Sequence, residues 1–146
     1  MKTGALAAVL IALALLWAVA IVRNQAGTSS AATLNRAFND HRLGMEGAWY
    51  DIGHATTDQQ FYARFRELAA TDSAMADTLG RLPIDLVELR ELRASLLDSV
   101  TVETAIADSH GGPTLAAALE KLLREREEQT ALEDSAASAL NMPLTH

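Results

Sequence analysis

The stretch Gly4–Val22 reads GALAAVLIALALLWAVAIV, an apolar run without a charge or a proline. As a helix rising about 1.5 Å per residue it spans about 28 Å, close to the hydrocarbon thickness of a bilayer. Its reading as a membrane anchor (residues 1–23) sets the frame for everything downstream. A secretory signal peptide is the competing reading, with Lys2 as its basic start and Ala18-Val19-Ala20 as a small-x-small cleavage site. Against it, the apolar run continues through Ile21 and Val22, beyond a signal core of about 7–15 residues. Trp17 also sits where an interfacial aromatic belongs. The α-amino group and Lys2 on one side, against Arg23 on the other, orient the N-terminus to the cytoplasm. Both readings carry residues 23–146 to the periplasmic or extracellular side of a plasma membrane.

The 146 residues carry a net charge of −7, and residues 1–22 contribute only Lys2 to it, so the remainder is more acidic still. A surface of that sign repels phosphate backbones, and nucleic acid is not an expected partner. The absence of cysteine removes disulfides, thiolate metal sites and cysteine nucleophiles. Aromatics make up 5% of the chain, and its abundant Ala and Leu favour helix over sheet.

Residues 24–30 (NQAGTSS) form a polar stretch expected to be a linker, with Ser29 or Ser30 as a helix N-cap. From Ala31 the positions Leu34, Phe38, His41, Met45, Ala48 and Ile52 follow a 4-3-4-3-4 seam, the pattern of an amphipathic helix. Gly44 and Gly47 weaken its second half, so a kink or an early end is expected there. After a break at Gly53–Asp58, Thr57 and Gln60 read as a capping box. The second seam is Phe61, Phe65, Leu68, Asp72, Met75 and Leu79, closed by Gly80 as a C′ residue. Pro83 suits the first turn of a third helix with the seam Leu86, Leu89, Arg93, Leu96, Val100, Glu103 and Ala107, widened by Leu92, Leu97 and Ile106. Gly111-Gly112-Pro113 stops it and the proline opens a fourth helix. That helix carries Leu115, Leu119, Leu122 and Leu123, the charged run Arg124–Glu128 (REREE), and then Ala131, Leu132, Ala136, Ala139 and Leu140. Asn141 and Pro143 close it, and 143–146 is a tail. The run REREE reads as a solvated face with i,i+3 and i,i+4 pairs. The expected fold is all-α: an N-terminal transmembrane helix followed by an antiparallel up-and-down four-helix bundle over residues 31–142.

His41, Asp72, Arg93 and Glu103 fall where the seams call for apolar residues. The simpler reading is a heptad phase off by one, with these side chains turned out to solvent. The functional reading is a buried polar layer that pairs internally or holds a charged ligand. Trp49 and Tyr50, in the cluster Trp49-Tyr50-Asp51, either line a small-ligand pocket or plug the end of the core. Asp51 and His54 have helical ligand spacing, with Glu46 nearby, but the surrounding glycines suggest a turn, and neither a metal nor any other cofactor is expected. No nucleophile elbow and no phosphate-cradling loop is present, so the chain is not expected to be an enzyme.

Leu34-Asn35, Arg42-x-Gly44 and Trp49-Tyr50-Asp51 together resemble the opening helix of the all-helical extracytoplasmic sensor domains called DAHL, over about twenty residues. The aromatic-Asp pair is displaced by one position from that pattern, and the chain has neither the second membrane helix nor the cytoplasmic output domain of those receptors. The resemblance implies a helical sensing or docking module that works through a partner. The expected function is therefore a membrane-anchored extracytoplasmic helical domain, sensor-like or accessory. Its partners would be lipid through residues 4–22 and another membrane or envelope protein. The alternative is a self-associating coiled-coil envelope scaffold, of the kind that inner-membrane phage lysis (spanin-like) subunits represent.

Overall fold

The computed structural model describes the backbone of residues 3–109 and 114–142, and the side chains of 27, 29–109 and 114–142. The described chain is four α-helices: α1 (Thr3–Gly53), α2 (Asp58–Arg81), α3 (Val87–Ser109) and α4 (Leu115–Ala139). There is no strand among the described residues. Among the residues whose side chains are described, no helix is long and apolar enough to cross a membrane, and the expected anchor at 4–22 lies outside those residues. The stop at 111–113 and the tail 143–146 fall outside them as well.

The expected linker at 24–30 is helix instead, because α1 runs unbroken from Thr3 to Gly53. One glycine in that stretch, Gly27, costs about 1 kcal/mol, and no proline removes a ladder hydrogen bond. Further on, Thr33 Oγ1 returns a hydrogen bond to the Ser29 carbonyl at 2.9 Å, so Ser29 lies inside the helix rather than capping it. Nor do Gly44 and Gly47 end α1. Gly44 is where α1 and α2 come close, since a Cβ there would lie 3.1 Å from Thr71 Cγ2.

Thr57 caps α2 by accepting from the Gln60 amide at 3.2 Å. The reciprocal arm differs from a capping box: Gln60 Oε1 accepts from the Thr56 amide and hydroxyl, at 3.0 and 2.9 Å. Thr57→Ala is expected to lower stability by about 1 kcal/mol, measured by urea unfolding. At its other end α2 continues one residue past Gly80, whose missing side chain makes room for Arg93; a Cβ would lie 3.0 Å from Arg93 Nε.

Pro83 does not start α3. Residues 83–86 are non-helical and Leu82, Ile84 and Leu86 pack on the core, so the proline ends up in a connector and the helix begins at Val87. The close of α4 is a Schellman motif. Asn141 takes the left-handed conformation (φ 52°), its amide donates to the Ser138 carbonyl (3.2 Å), and the Met142 amide donates to that of Ala137 (2.8 Å). Met142 then folds against the core.

The core is divided. One cluster joins Leu34 and Phe38 of α1 to Met75 and Leu79 of α2, Leu89, Leu92 and Leu96 of α3, and Ala136 and Ala137 of α4. The other joins Met45 and Ala48 to Phe65 and Leu68, Ile106 and Ala107, and Leu122. The first cluster joins the earlier of the packed α1 residues and the first half of α3 to the second halves of α2 and α4, and the other cluster the reverse, so successive helices alternate in direction. The division falls at His41, Asp72, Ser99, Glu103, Glu125, Gln129 and Glu133, the buried polar residues of the bundle.

Candidate functional site

The layer between the two clusters is built by all four helices. On α1, His41 follows Leu34 and Phe38 in the seam, so the helix that buries those two buries the imidazole too. Its Nε2 lies 2.8 Å from Asp72 Oδ1 of α2, and its Nδ1 lies 3.0 Å from Glu133 Oε1 of α4. Both neighbours are carboxylate oxygens, so each ring nitrogen must donate and the ring is held as imidazolium. Burial by itself pulls the His41 pKa down. The hydrogen bonds and charges of Asp72 and Glu133 outweigh that and leave it above the ordinary 6.5.

Arg126 of α4 is the second cation. Its Nη1 donates to Asp72 Oδ1 at 3.0 Å and to Gln129 Oε1 at 2.6 Å. Its Nη2 donates to Asp72 Oδ2 at 2.6 Å and to Glu103 Oε1 of α3 at 2.8 Å. Asp72 thus accepts a bidentate arginine and a histidine while fully buried. Arg42, one residue beyond His41, closes the edge: its Nε donates to Glu133 Oε2 and its Nη2 to Asp134 Oδ1, both at 2.7 Å. Gln129 Nε2 donates to Ser95 Oγ (3.0 Å) and Ser99 Oγ (2.9 Å), and the Ser99 hydroxyl donates to Glu125 Oε2 at 2.9 Å.

Two atoms of this network stand without a hydrogen-bond partner among the described residues: Glu103 Oε2 and Arg126 Nε. Glu103 is fully buried. Burial first, and then the Asp72 charge, push its carboxyl up to about 8 in spite of Arg126. Burial raises Glu125 as well, held in part by Ser99 and Lys121.

These shifts fix the sign of the pH dependence. For a group whose folded pKa is raised, stability is fully present below the unfolded value and declines as pH climbs to the folded one. For Glu103 that window runs from 4.5 to about 8, and for His41 from 6.5 upward to its raised value. The Glu103 rise corresponds to a loss on the order of 5 kcal/mol across its window. The bundle is therefore expected to melt at a lower temperature at about pH 9 than at about pH 5.5, and Glu103→Gln is expected to flatten the difference. Calorimetry at the two pH values checks both.

Of the residues singled out in the sequence, His41, Asp72 and Glu103 come together and Arg93 does not. Arg93 is exposed on α3, with its Nε reaching the Ala76 carbonyl at 3.2 Å. The seam of α3 runs Leu89, Leu92, Leu96, Ser99, Glu103 and Ile106. The expected phase slips by one at 93 and 100, where Leu92 and Ser99 take the inward positions, while Leu97 and Leu123 stand exposed. The layer's arginine comes instead from REREE, which is not a wholly solvated face: Glu125 is buried and the Arg126 side chain only 16% exposed. Trp49 packs edge-on to Phe65, with ring centroids 6.2 Å apart, against the far cluster. Tyr50 is 65% exposed and stacked on His54 at 4.0 Å, away from the layer. Arg42, Glu125, Arg126, Gln129 and Glu133 were not candidates, yet α4 does signal three of them. Its inward rhythm from Leu122 to Ala136 passes through Glu125, Gln129 and Glu133 at spacings of three, four, four and three.

Both nitrogens of His41 donate and the guanidinium of Arg126 donates only, so the layer's charged acceptors are its carboxylates. Among the described residues no group of three or more His, Asp or Glu side chains is arranged to hold a metal ion. What the arrangement can do is hold charge, and therefore respond to charge. Two crevices reach it: one of about 530 Å³ between α1 and α4, bordered by Arg42, Arg126 and Glu133, and one of about 570 Å³ between α1 and α2, bordered by Gly44, Thr71 and Met75. His41 borders both. The chain matches no family model, and no curated protein or solved structure is significantly similar to it.

Proposed function

We propose that this chain is a single-pass, membrane-anchored, extracytoplasmic helical domain that acts as a sensor-like or accessory interaction subunit. The observation that carries the reading is the continuity of α1 from Thr3 to Gly53. His41 lies about 28 Å along that helix from Val22. A change of register or tilt at the polar layer is thereby transmitted to the apolar stretch without an intervening flexible joint. A partner in the same membrane is the natural reader of such a movement. The resemblance of residues 34–51 to sensor-domain opening helices points the same way.

The absence of cysteine makes the test direct. Ala131→Cys places one thiol on the exposed face of α4. In intact bacterial cells expressing the full chain, a membrane-impermeant maleimide is expected to label it, and the protein is expected to stay with the membrane through alkaline extraction. Labelling only after lysis, or release by alkali, overturns the reading. The length of α1 and the exposure of Leu43 and Tyr50 along it favour the scaffold as second reading. An elongated dimer in analytical ultracentrifugation would support that one, and a compact monomer the first.

A further inference from the structure

The polar layer contains more carboxylates than cations. His41, Arg42 and Arg126 face Asp72, Glu103, Glu133 and Asp134 in one connected set of ion pairs. With a proton on Glu103 and the imidazolium at His41, the set is neutral. With both protons gone it carries two uncompensated negative charges around the fully buried Asp72 and Glu103, which is unfavourable.

The layer also has a weak side. The backbones of α1 and α4 approach each other less closely than those of α1 and α2, α2 and α3, or α3 and α4. At the level of the layer, α1 and α4 are joined by His41 and Arg42 reaching across to Glu133 and Asp134. A neutral imidazole keeps one N–H and turns a lone pair towards the other carboxylate, so it cannot bridge α2 and α4 together. Glu103 connects to that seam through Arg126, which it shares with Asp72, the α2 partner of His41. Its Oε2 has no partner to compensate ionisation.

We propose that the layer is a proton-operated clasp, in which protonated His41 and Glu103 hold the α1/α4 seam shut and loss of their protons opens it. The groups that face the two residues are Arg42 on α1, Asp72 on α2, Ser99 on α3, and Glu125, Arg126 and Glu133 on α4. The Asp72 and Glu125 carboxylates oppose ionisation of Glu103, and Arg126 is its one direct cationic partner among the described residues. The crevices bordered by His41 give water, and hence protons, a path to the ring. The clasp deepens the sensing reading by naming its input as pH, and rests on that reading only for its biological use.

Nitroxides on Gly47→Cys and Glu127→Cys report the seam in the full chain in detergent. Both positions are exposed, and a side chain at 47 meets nothing within 4 Å. The distance between them is expected to lengthen from about pH 5.5 to about pH 9.5, while the Ala70→Cys/Ala105→Cys distance across α2 and α3 stays fixed. The midpoint is expected near the Glu103 value of about 8. In Glu103→Gln the opening is expected to shift to higher pH or lose amplitude. A pH-invariant wild-type seam, an α2/α3 distance that moves equally, or a profile unchanged by Glu103→Gln overturns the clasp. Should the variant fail to fold, the two wild-type distances decide alone. A failed clasp leaves the anchored interaction module standing, whereas failed external labelling leaves the clasp standing.

Discussion

Arg126→Ala is expected to destabilise the bundle by about 3–5 kcal/mol, a change that unfolds a marginal domain outright. The side chain supplies both arms of the Asp72 pair and the only cation on Glu103. Removing it leaves the buried Asp72 carboxylate with only His41 to offset it and the Glu103 carboxyl without its partner. At roughly 4 °C per kcal/mol for a domain of this size, the melting temperature should fall on the order of 10–20 °C. Thermal unfolding of wild type and variant at about pH 7 measures it. A fall of under about 1 kcal/mol, typical of an exposed ion pair, would mean that Arg126 is solvated.

The second large effect has the opposite sign. Replacing the layer in concert, as His41→Leu, Asp72→Leu, Glu103→Leu and Arg126→Met, is expected to stabilise the fold by about 1–4 kcal/mol. Desolvating several charges costs more than their mutual attraction returns, and breaking one member is harmful only because its partners remain. Glu133 keeps Arg42 in this variant. The same variant is expected to lose most of the decline of stability between mildly acidic and alkaline pH, since it removes His41 and Glu103 and keeps only Glu125 among the buried groups with raised pKa values. Chemical denaturation at two pH values separates the effects. A layer whose concerted removal weakens the fold would be a structural clamp and not a responsive element.

The four-helix architecture is legible in the sequence because the apolar seams of α1 and α2 keep their spacing without interruption. Leu34 to Ala48 and Phe65 to Leu79 lie buried as their rhythm requires. His41 and Asp72 can be located for the same reason: they sit in phase within runs of large apolar residues. In α3 the phase is ambiguous, because Leu89, Leu92, Leu96 and Leu97 fit two registers and only contact with the other helices selects one. The assignment of Arg93 in place of Arg126 follows from that ambiguity. In α4 the inward positions are themselves polar, so a rule that looks for apolar residues passes over them. Burial of Glu125, Gln129 and Glu133 is decided by partners on α1, α2 and α3, and a single helix carries no record of those partners. Helix ends show the same division. Thr57 and Asn141 are local signals and act as such, while Pro83 is overridden by the packing of Leu82, Ile84 and Leu86 on the core.

The central claim is that His41 is a buried imidazolium donating to two carboxylates from two different helices. Nitrogen NMR of the imidazole rings reads the protonation of each ring nitrogen. At about pH 7.5 both His41 ring nitrogens are expected to be protonated, with titration above the ordinary 6.5. A His41 ring that is neutral at that pH and titrates near 6.5, as a solvated histidine does, contradicts it.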